Sequence, residues 1–201
     1  MGVYATVGAN DQVSVFSFPI FVHMPIAFKE WIQVCDALGS GRQSIILRKG
    51  GIAEGREGFQ FKHPEFFLFP TVFHAAGEQL KEGWRGEPVE AGAGDGERES
   101  VAIDLYAEIV ETRVITDWEE VKALDPQHGW TEETVRARFD YDEAPGVSLA
   151  VVQVYRLVSV WEFPFEKKYG GCRSWVEIPE CPAELFEGKQ AVELRKSILE
   201  S

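Results

Sequence analysis

Apolar residues near the start of the chain recur at three- and four-residue spacing, which predicts a helix over residues 27–38, closed by Gly39 as a C-cap. The next apolar run, residues 43–48, is short and rich in Ile and Leu and predicts a strand. Extended segments are expected over residues 59–62 and 65–69, on either side of Pro64. A short helix that Thr71 caps is expected to run to Leu80.

The second half of the chain carries the longest strand patterns. Residues 101–116 alternate between apolar and polar side chains, and residues 147–161 are almost continuously apolar, which predicts a strand at the centre of a sheet. Short helices are expected over residues 117–124 and 131–139, because Asp117 or Thr116 is a suitable N-cap for the first and Thr131 for the second. A short strand over residues 174–178 and a last helix that starts at Pro182, in which Leu185, Val192 and Leu199 are seven positions apart, complete the pattern.

This order of elements predicts one α+β domain and not an alternating βαβ fold. We expect a curled or barrel-like mixed sheet flanked by short helices. Residues 24–201 form the predicted domain, and residues 1–23 are interpreted as an N-terminal tail or a mis-assigned start. Residues 82–100 hold six acidic and two basic residues among many glycines, so we expect a flexible acidic insert there that a protease cuts first.

Charge and cysteine content narrow the classes of function. The net charge of −13 argues against a general nucleic-acid coat protein. Residues 28–81, however, hold seven Lys or Arg against six Asp or Glu, which allows a local basic site. Three cysteines without a C-x-x-C pair argue against a disulfide framework or a cysteine zinc site. We expect a cytoplasmic protein with no membrane span, and the sequence does not specify an oligomeric state.

Several short motifs resemble the DUF1802 family of bacterial and archaeal proteins. They are Phe28-Lys29-Glu30-Trp31, Ala37-Leu38-Gly39-Ser40-Gly41, Leu47-Arg48-Lys49-Gly50-Gly51-Ile52, His63-Pro64-Glu65-Phe66, Phe69-Pro70-Thr71 with His74, His128-Gly129-Trp130-Thr131 with Arg138-Phe139, Val154-Tyr155-Arg156-Leu157, and Gly170-Gly171-Cys172-Arg173-Ser174-Trp175. The resemblance extends from about residue 28 to residue 178. It implies no activity, because the family is uncharacterised.

A second, weaker resemblance concerns the ASCH branch of the PUA-like barrels. The run from Gly41 to Arg48 is similar to the G-x-K-x-x-x-x-R segment that opens that fold. Gln43 stands in place of the lysine and Ile46 in place of the usual acid, which puts the functional part of the likeness in doubt. The resemblance implies a PUA-like barrel, and it favours a nucleic-acid role only weakly.

The strongest candidate site is basic. Arg48 and Lys49 end a predicted strand beside Gly50 and Gly51, whose backbone N–H groups are suited to an anion such as phosphate. Three more arginines are candidates for the same anion site, and two tryptophans are candidates to stack on a base. They are Arg138, Arg156 and Arg173, and Trp130 and Trp175. The alternatives are an ordinary hairpin with a solvated Arg-Lys pair, and tryptophans that belong to the core.

The second candidate is a group suited to catalysis. His63 and Glu65 share one face of an extended segment, and His74 and His128 complete the set. Imidazole and carboxylate together bind a divalent metal or relay a proton. The spacing matches no established metal motif, so the histidines also fit a structural role among the phenylalanines.

Three functions remain open at this point. The preferred one is binding or processing of a phosphate-bearing ligand, which is a nucleic acid or a nucleotide. The second is a hydrolase, either metal-dependent or using His and Glu alone. The third is a non-catalytic domain that binds a protein partner. No cofactor is indicated, and whether the protein is an enzyme stays open.

Overall fold

The structure is a computed structural model that describes residues 25–49, 59–72, 76–86, 98–141 and 143–195. Its sheet strands are β1 (Ile26–Trp31), β2 (Ile45–Arg48), β3 (Glu65–Thr71), β4 (Ser100–Ile115), β5 (Val147–Pro164), β6 (Trp175–Glu177) and β7 (Gln190–Ala191). Its helices are α1 (Ile32–Gly39), α2 (Ala76–Gln79), α3 (Trp118–Ala123), α4 (Glu132–Phe139) and α5 (Ala183–Phe186). The predicted α+β class is confirmed.

The seven-stranded sheet is built around the long antiparallel pair of β4 and β5. Its order is β2-β5-β4-β3-β1-β6, β7 pairs with β5, and β1 with β3 is a parallel pair. β5 bonds to strands on both sides, as its apolar run predicted. Two register shifts, after Ile103 and after Ile109, bend the β4–β5 pair and curl the sheet. Because β2 and β6 lie at opposite ends of the order, the sheet formed by the described strands is not closed, and the barrel alternative is wrong.

The segment predicted as a helix over residues 27–38 begins as a strand instead. Residues 26–31 form β1, and the helix α1 starts only at Ile32. Phe28 and Glu30 face one side of the sheet and Ala27 and Lys29 the other, and all four are buried. A strand that is covered on both faces has no alternating pattern, so its apolar residues are easily mistaken for a helix.

The last predicted helix is much shorter than expected. After Pro182 the helix α5 covers only residues 183–186, and the chain then forms β7. The N–H of Val192 donates to the carbonyl oxygen of Val154 at 2.8 Å, so this segment extends the sheet. Leu199, which suggested the longer helix, lies outside the described residues.

Apolar side chains form two clusters of buried residues. The larger contains Phe28, Leu38, Leu47 and Phe139 and draws on α1, α3 and α4. The smaller contains Phe67, Trp161 and Tyr169 and packs against α5. The side chains of a strand alternate between these two clusters, so both faces of the sheet are covered.

Residues 87–97 of the predicted insert lie outside the described residues, and so does the whole predicted tail, residues 1–23. The ends of the insert do have described structure: Glu82–Trp84 form a 3-10 turn and Ser100 begins β4. The flexibility of the insert and the nature of residues 1–23 stay predictions. Among the described residues, no helix combines the length and apolar character that a membrane crossing needs.

Candidate functional site

Arg48 ends β2 next to Glu30 of β1. Its Nη2 donates to the carbonyl oxygen of Lys29 at 2.6 Å and lies 3.2 Å from Oε2 of Glu30, whose side chain is only 1% exposed. The guanidinium carbon also lies 4.9 Å from the ring centre of Phe28. The Nε of Arg48 is buried and has no hydrogen-bond partner among the described residues. This arginine is therefore held firmly but keeps one unused donor.

Arg138 approaches from the last turn of α4. Thr131 caps this helix by accepting a hydrogen bond from the N–H of Thr134 at 3.3 Å, and a cation near its C-terminus is favoured by the helix dipole. Nη1 of Arg138 donates to the carbonyl oxygen of Leu47 at 3.2 Å, and the guanidinium carbon lies 3.7 Å from the ring centre of Trp130. The N-cap fixes where α4 begins and thereby places Arg138 in its last turn.

The charges around the two arginines do not balance. Burial first, and then the positive charge of Arg48, lower the pKa of Arg138 to about 10, and the negative charge of Glu30 offsets this only in part. We call Arg48 and Arg138 the arginine pair. Among the described residues, these two positive charges share the carboxylate of Glu30, an arrangement that suits an additional anion.

A cleft of about 550 Å³ opens beside Arg138, and we call it the α4 cleft. Arg48 is not among its described lining residues. Its walls include Lys49, Arg138 and Tyr141, and Tyr141 is 55% exposed. Nζ of Lys49 donates to the carbonyl oxygen of Ala144 at 2.6 Å, which ties it to the loop after α4. Two carboxylates also line the cleft, those of Glu78 and Glu133. Gly50 and Gly51 lie outside the described residues.

Neither candidate tryptophan lines the α4 cleft. Trp130 is 1% exposed, packs edge-on against Trp31 at 4.7 Å and supports the guanidinium of Arg138 from inside. Trp175 packs against Phe28 at 4.8 Å and against Phe66 at 5.2 Å. In this structure both rings therefore pack as part of the larger apolar cluster.

The other two candidate arginines occupy different places. Arg156 is ion-paired with Asp104, and its Nη2 donates to the carbonyl oxygen of Gly39 at 2.8 Å. Arg173 is exposed in the turn before β6. Of the four candidate arginines, the structure brings together Arg48 and Arg138.

The four candidate catalytic residues do not form one described group. His63 packs edge-on against the ring of Trp175 at 4.9 Å, and Glu65 accepts a hydrogen bond from Tyr106. His74 lies outside the described residues. In the described ranges, no group of three or more His, Cys, Asp or Glu side chains is arranged to hold a metal ion.

His128 is 1% exposed and lies at a separate place, at the wall of a cavity of about 250 Å³ beside α3 and α4. Its Nδ1 accepts a hydrogen bond from the N–H of Trp130 at 3.2 Å. Burial first, and then the charge of Lys81, lower its pKa to about 4. The imidazole is therefore neutral at pH 7 and acts in this structure as a structural acceptor.

Two residues of the site were missed by the sequence reasoning. Glu30 belongs to a motif that carried the family resemblance, and a carboxylate inside an apolar segment indicates a buried partner. Tyr141 lies three positions after Arg138, just beyond the end of the predicted helix. It follows in the turn after α4, where its N–H donates to the carbonyl oxygen of Arg138 at 3.4 Å, but nothing in the sequence marked it as exposed.

A comparison with solved structures finds similar folds, and a comparison with curated proteins finds no match. An ASCH protein of Zymomonas mobilis superposes with a TM-score of 0.45 and 10% identity, over 86% of this chain and 99% of that chain. A mutant form of the same protein gives a TM-score of 0.46 and 8% identity, over 88% of this chain and 92% of that chain. No curated protein matches the sequence.

The family model described as Domain of unknown function (DUF1802) matches residues 27–198. The match includes the strands and helices that carry the arginine pair and Glu30. It agrees with the resemblance found in the short motifs. Because it extends over most of the sequence, the chain belongs to the DUF1802 family.

Proposed function

We propose that this protein binds a phosphate-bearing ligand, a nucleotide or a nucleic acid, in the α4 cleft. The observation that supports the proposal is the charge of the arginine pair, whose two guanidinium groups share the carboxylate of Glu30 within the part of the chain that the structure describes. A phosphate oxygen beside Arg138 would offset, by charge attraction and hydrogen bonds, the burial that lowers the pKa of this arginine. The planar donors of arginine are suited to phosphate, which they bind through two parallel hydrogen bonds.

The mouth of the cleft suits the rest of such a ligand. Lys49 adds a cation, and the exposed ring of Tyr141 offers a face for a base. Glu78 and Glu133 also line the cleft, and their carboxylates repel phosphate from the places they occupy. The ligand is therefore expected to direct its phosphate towards Lys49 and Arg138 and its base towards Tyr141.

Fluorescence anisotropy with short labelled single-stranded RNA and DNA at low salt tests this proposal. Lys49→Ala is compared with Lys168→Ala, a control that removes the same charge from an exposed lysine paired with Glu166. The slope of log affinity against log salt is expected to become shallower by roughly 0.7 for Lys49→Ala and to stay unchanged for the control.

Two outcomes would contradict the proposal. One is the same loss of affinity in both lysine variants, which would indicate a diffuse charge effect. The other is no binding of either polymer or of ATP by the wild type. Tyr141→Ala is expected to weaken binding by about 1–3 kcal/mol without changing the salt slope, which separates stacking from charge.

A further inference from the structure

A second cavity lies beside β3 and α5. Its volume is about 460 Å³, within the range of roughly 300–1,000 Å³ that is typical of small-molecule sites. The residues that line it differ from those that line the α4 cleft. We call it the acidic cavity, because three glutamates line it.

Three aromatic rings form its apolar wall. The ring of Tyr106 meets that of Phe67 edge-on at 5.2 Å and that of Phe186 edge-on at 4.9 Å. The rings of Phe67 and Phe186 are tilted to each other at 5.9 Å. Phe67 and Tyr106 are buried in the smaller apolar cluster, and Phe186 packs against it. The sheet and α5 therefore hold this wall in a fixed geometry.

Carboxylates form the polar part of the wall. Glu65, Glu180 and Glu187 line the cavity, and no Lys or Arg is found among its described lining residues. Glu65 accepts a hydrogen bond from Tyr106, and burial together with this bond raises the pKa of the tyrosine. The hydroxyl therefore stays protonated, and the charge that faces the cavity is negative.

The chain itself shows that these rings attract an ammonium group. Nζ of Lys189 lies 4.1 Å from the ring centre of Phe186, 5.5 Å from that of Tyr106 and 5.4 Å from that of Tyr155. An ammonium group near aromatic faces is stabilised by the negative charge of the ring face. The cavity offers two of the same rings together with the three carboxylates.

We propose that the acidic cavity binds an organic ammonium ion, with its alkyl part against Phe67, Tyr106 and Phe186 and its charge towards Glu180 and Glu187. An inorganic cation would leave the aromatic wall unused, and an anion would meet the carboxylates. A neutral molecule would gain the apolar contact alone. The chemistry of the wall thus selects a ligand that is both cationic and apolar.

Calorimetric titration of the full chain with matched probes tests this site. The probes are choline and its neutral isostere 3,3-dimethyl-1-butanol, and butylammonium and its neutral counterpart 1-butanol. At least one ammonium probe is expected to bind about tenfold more tightly than its neutral counterpart, since the rings and the carboxylates each add a favourable term. Equal binding of each charged and neutral pair, or binding of neither ammonium probe, would overturn the proposal.

Two variants and a matched control assign the binding to this cavity. Phe186→Leu is expected to weaken binding of the ammonium probe by about threefold, because the interaction of a cation with one ring contributes roughly 0.5–1 kcal/mol at an exposed site. The double variant Glu180→Gln/Glu187→Gln is expected to weaken it at least as much. The control is Glu99→Gln/Glu162→Gln, which changes the net charge equally at exposed positions outside the cavity. If the control weakens binding as much as the cavity variants, the charge effect is general and the proposed site is wrong.

Discussion

Acid should destabilise this protein through His128. The imidazole is buried with its Nδ1 accepting a hydrogen bond, and its pKa is lowered from 6.5 to about 4, first by burial. In the unfolded chain the ordinary pKa of about 6.5 returns, so the unfolded chain binds the proton first as pH falls. The contribution of this residue is therefore complete above about pH 6.5 and is lost as the pH approaches 4.

The size of the effect follows from the two pKa values. The loss is about 2 kcal/mol at pH 5 and about 3 kcal/mol at pH 4. His128→Asn is the matched variant, because an amide oxygen replaces Nδ1 as acceptor for the N–H of Trp130 and nothing titrates. Urea unfolding, followed by tryptophan fluorescence from pH 7.5 to pH 4.5, measures both proteins.

The wild type should lose about 2 kcal/mol more than His128→Asn between pH 7.5 and pH 5. Comparing how the free energy of unfolding of each protein changes with pH removes the contribution of every group that titrates alike in both. A constant difference in stability between the two proteins cancels as well. If the free-energy difference between the two proteins stays constant across this range, His128 titrates normally in the folded state and the argument from its burial is refuted.

Three further substitutions test the packing that supports the site. Glu30→Gln is expected to cost about 3–5 kcal/mol in urea unfolding, because it leaves the charge of Arg48 buried without its carboxylate; a loss below 1 kcal/mol would show that the pair is well solvated. Gly41→Ala is expected to lower the thermal midpoint, since φ is +67° and the new Cβ would overlap the carbonyl oxygen of Glu193; an unchanged midpoint would mean that this segment is free to move. Asp117→Ala is expected to cost about 1 kcal/mol through loss of the N-cap of α3, and an unchanged urea midpoint would count against the cap.

Local patterns predicted the regular parts of this fold. The long strands β4 and β5 and the helices capped by Asp117 and Thr131 are near the predicted ranges. Each depends on alternation or on a cap within a few residues. β1 was missed because its partner β3 lies about forty positions further along the chain, and this pairing has no local sequence pattern.

The candidate site was only partly predicted, because local patterns place its helix but not its contacts between distant segments. Arg48 and Arg138 meet because Arg138, in the last turn of α4, donates a hydrogen bond to Leu47 of β2. The position of α4 was predicted from its N-cap. Arg156 lies eight positions beyond Ser148, the strand partner of Arg48, and so roughly 26 Å away along β5. The role of Glu30 could not be found while its segment was assigned to a helix.

The most direct test of the arginine pair is the side-chain spectrum of arginine. In ¹⁵N–¹H NMR, the Nε–H signals of Arg48 and Arg138 are assigned with the variants Arg48→Lys and Arg138→Lys, and the wild type is titrated with a short single-stranded RNA. We expect these two signals to shift together on binding, because Arg138 lines the α4 cleft and interacts electrostatically with Arg48, so that an anion beside Arg138 changes the surroundings of both guanidinium groups. Arg113, which is ion-paired with Glu120 on the surface, should not respond. Shifts at Arg113 without shifts at the arginine pair, or no shift at saturating RNA, would contradict the proposed site.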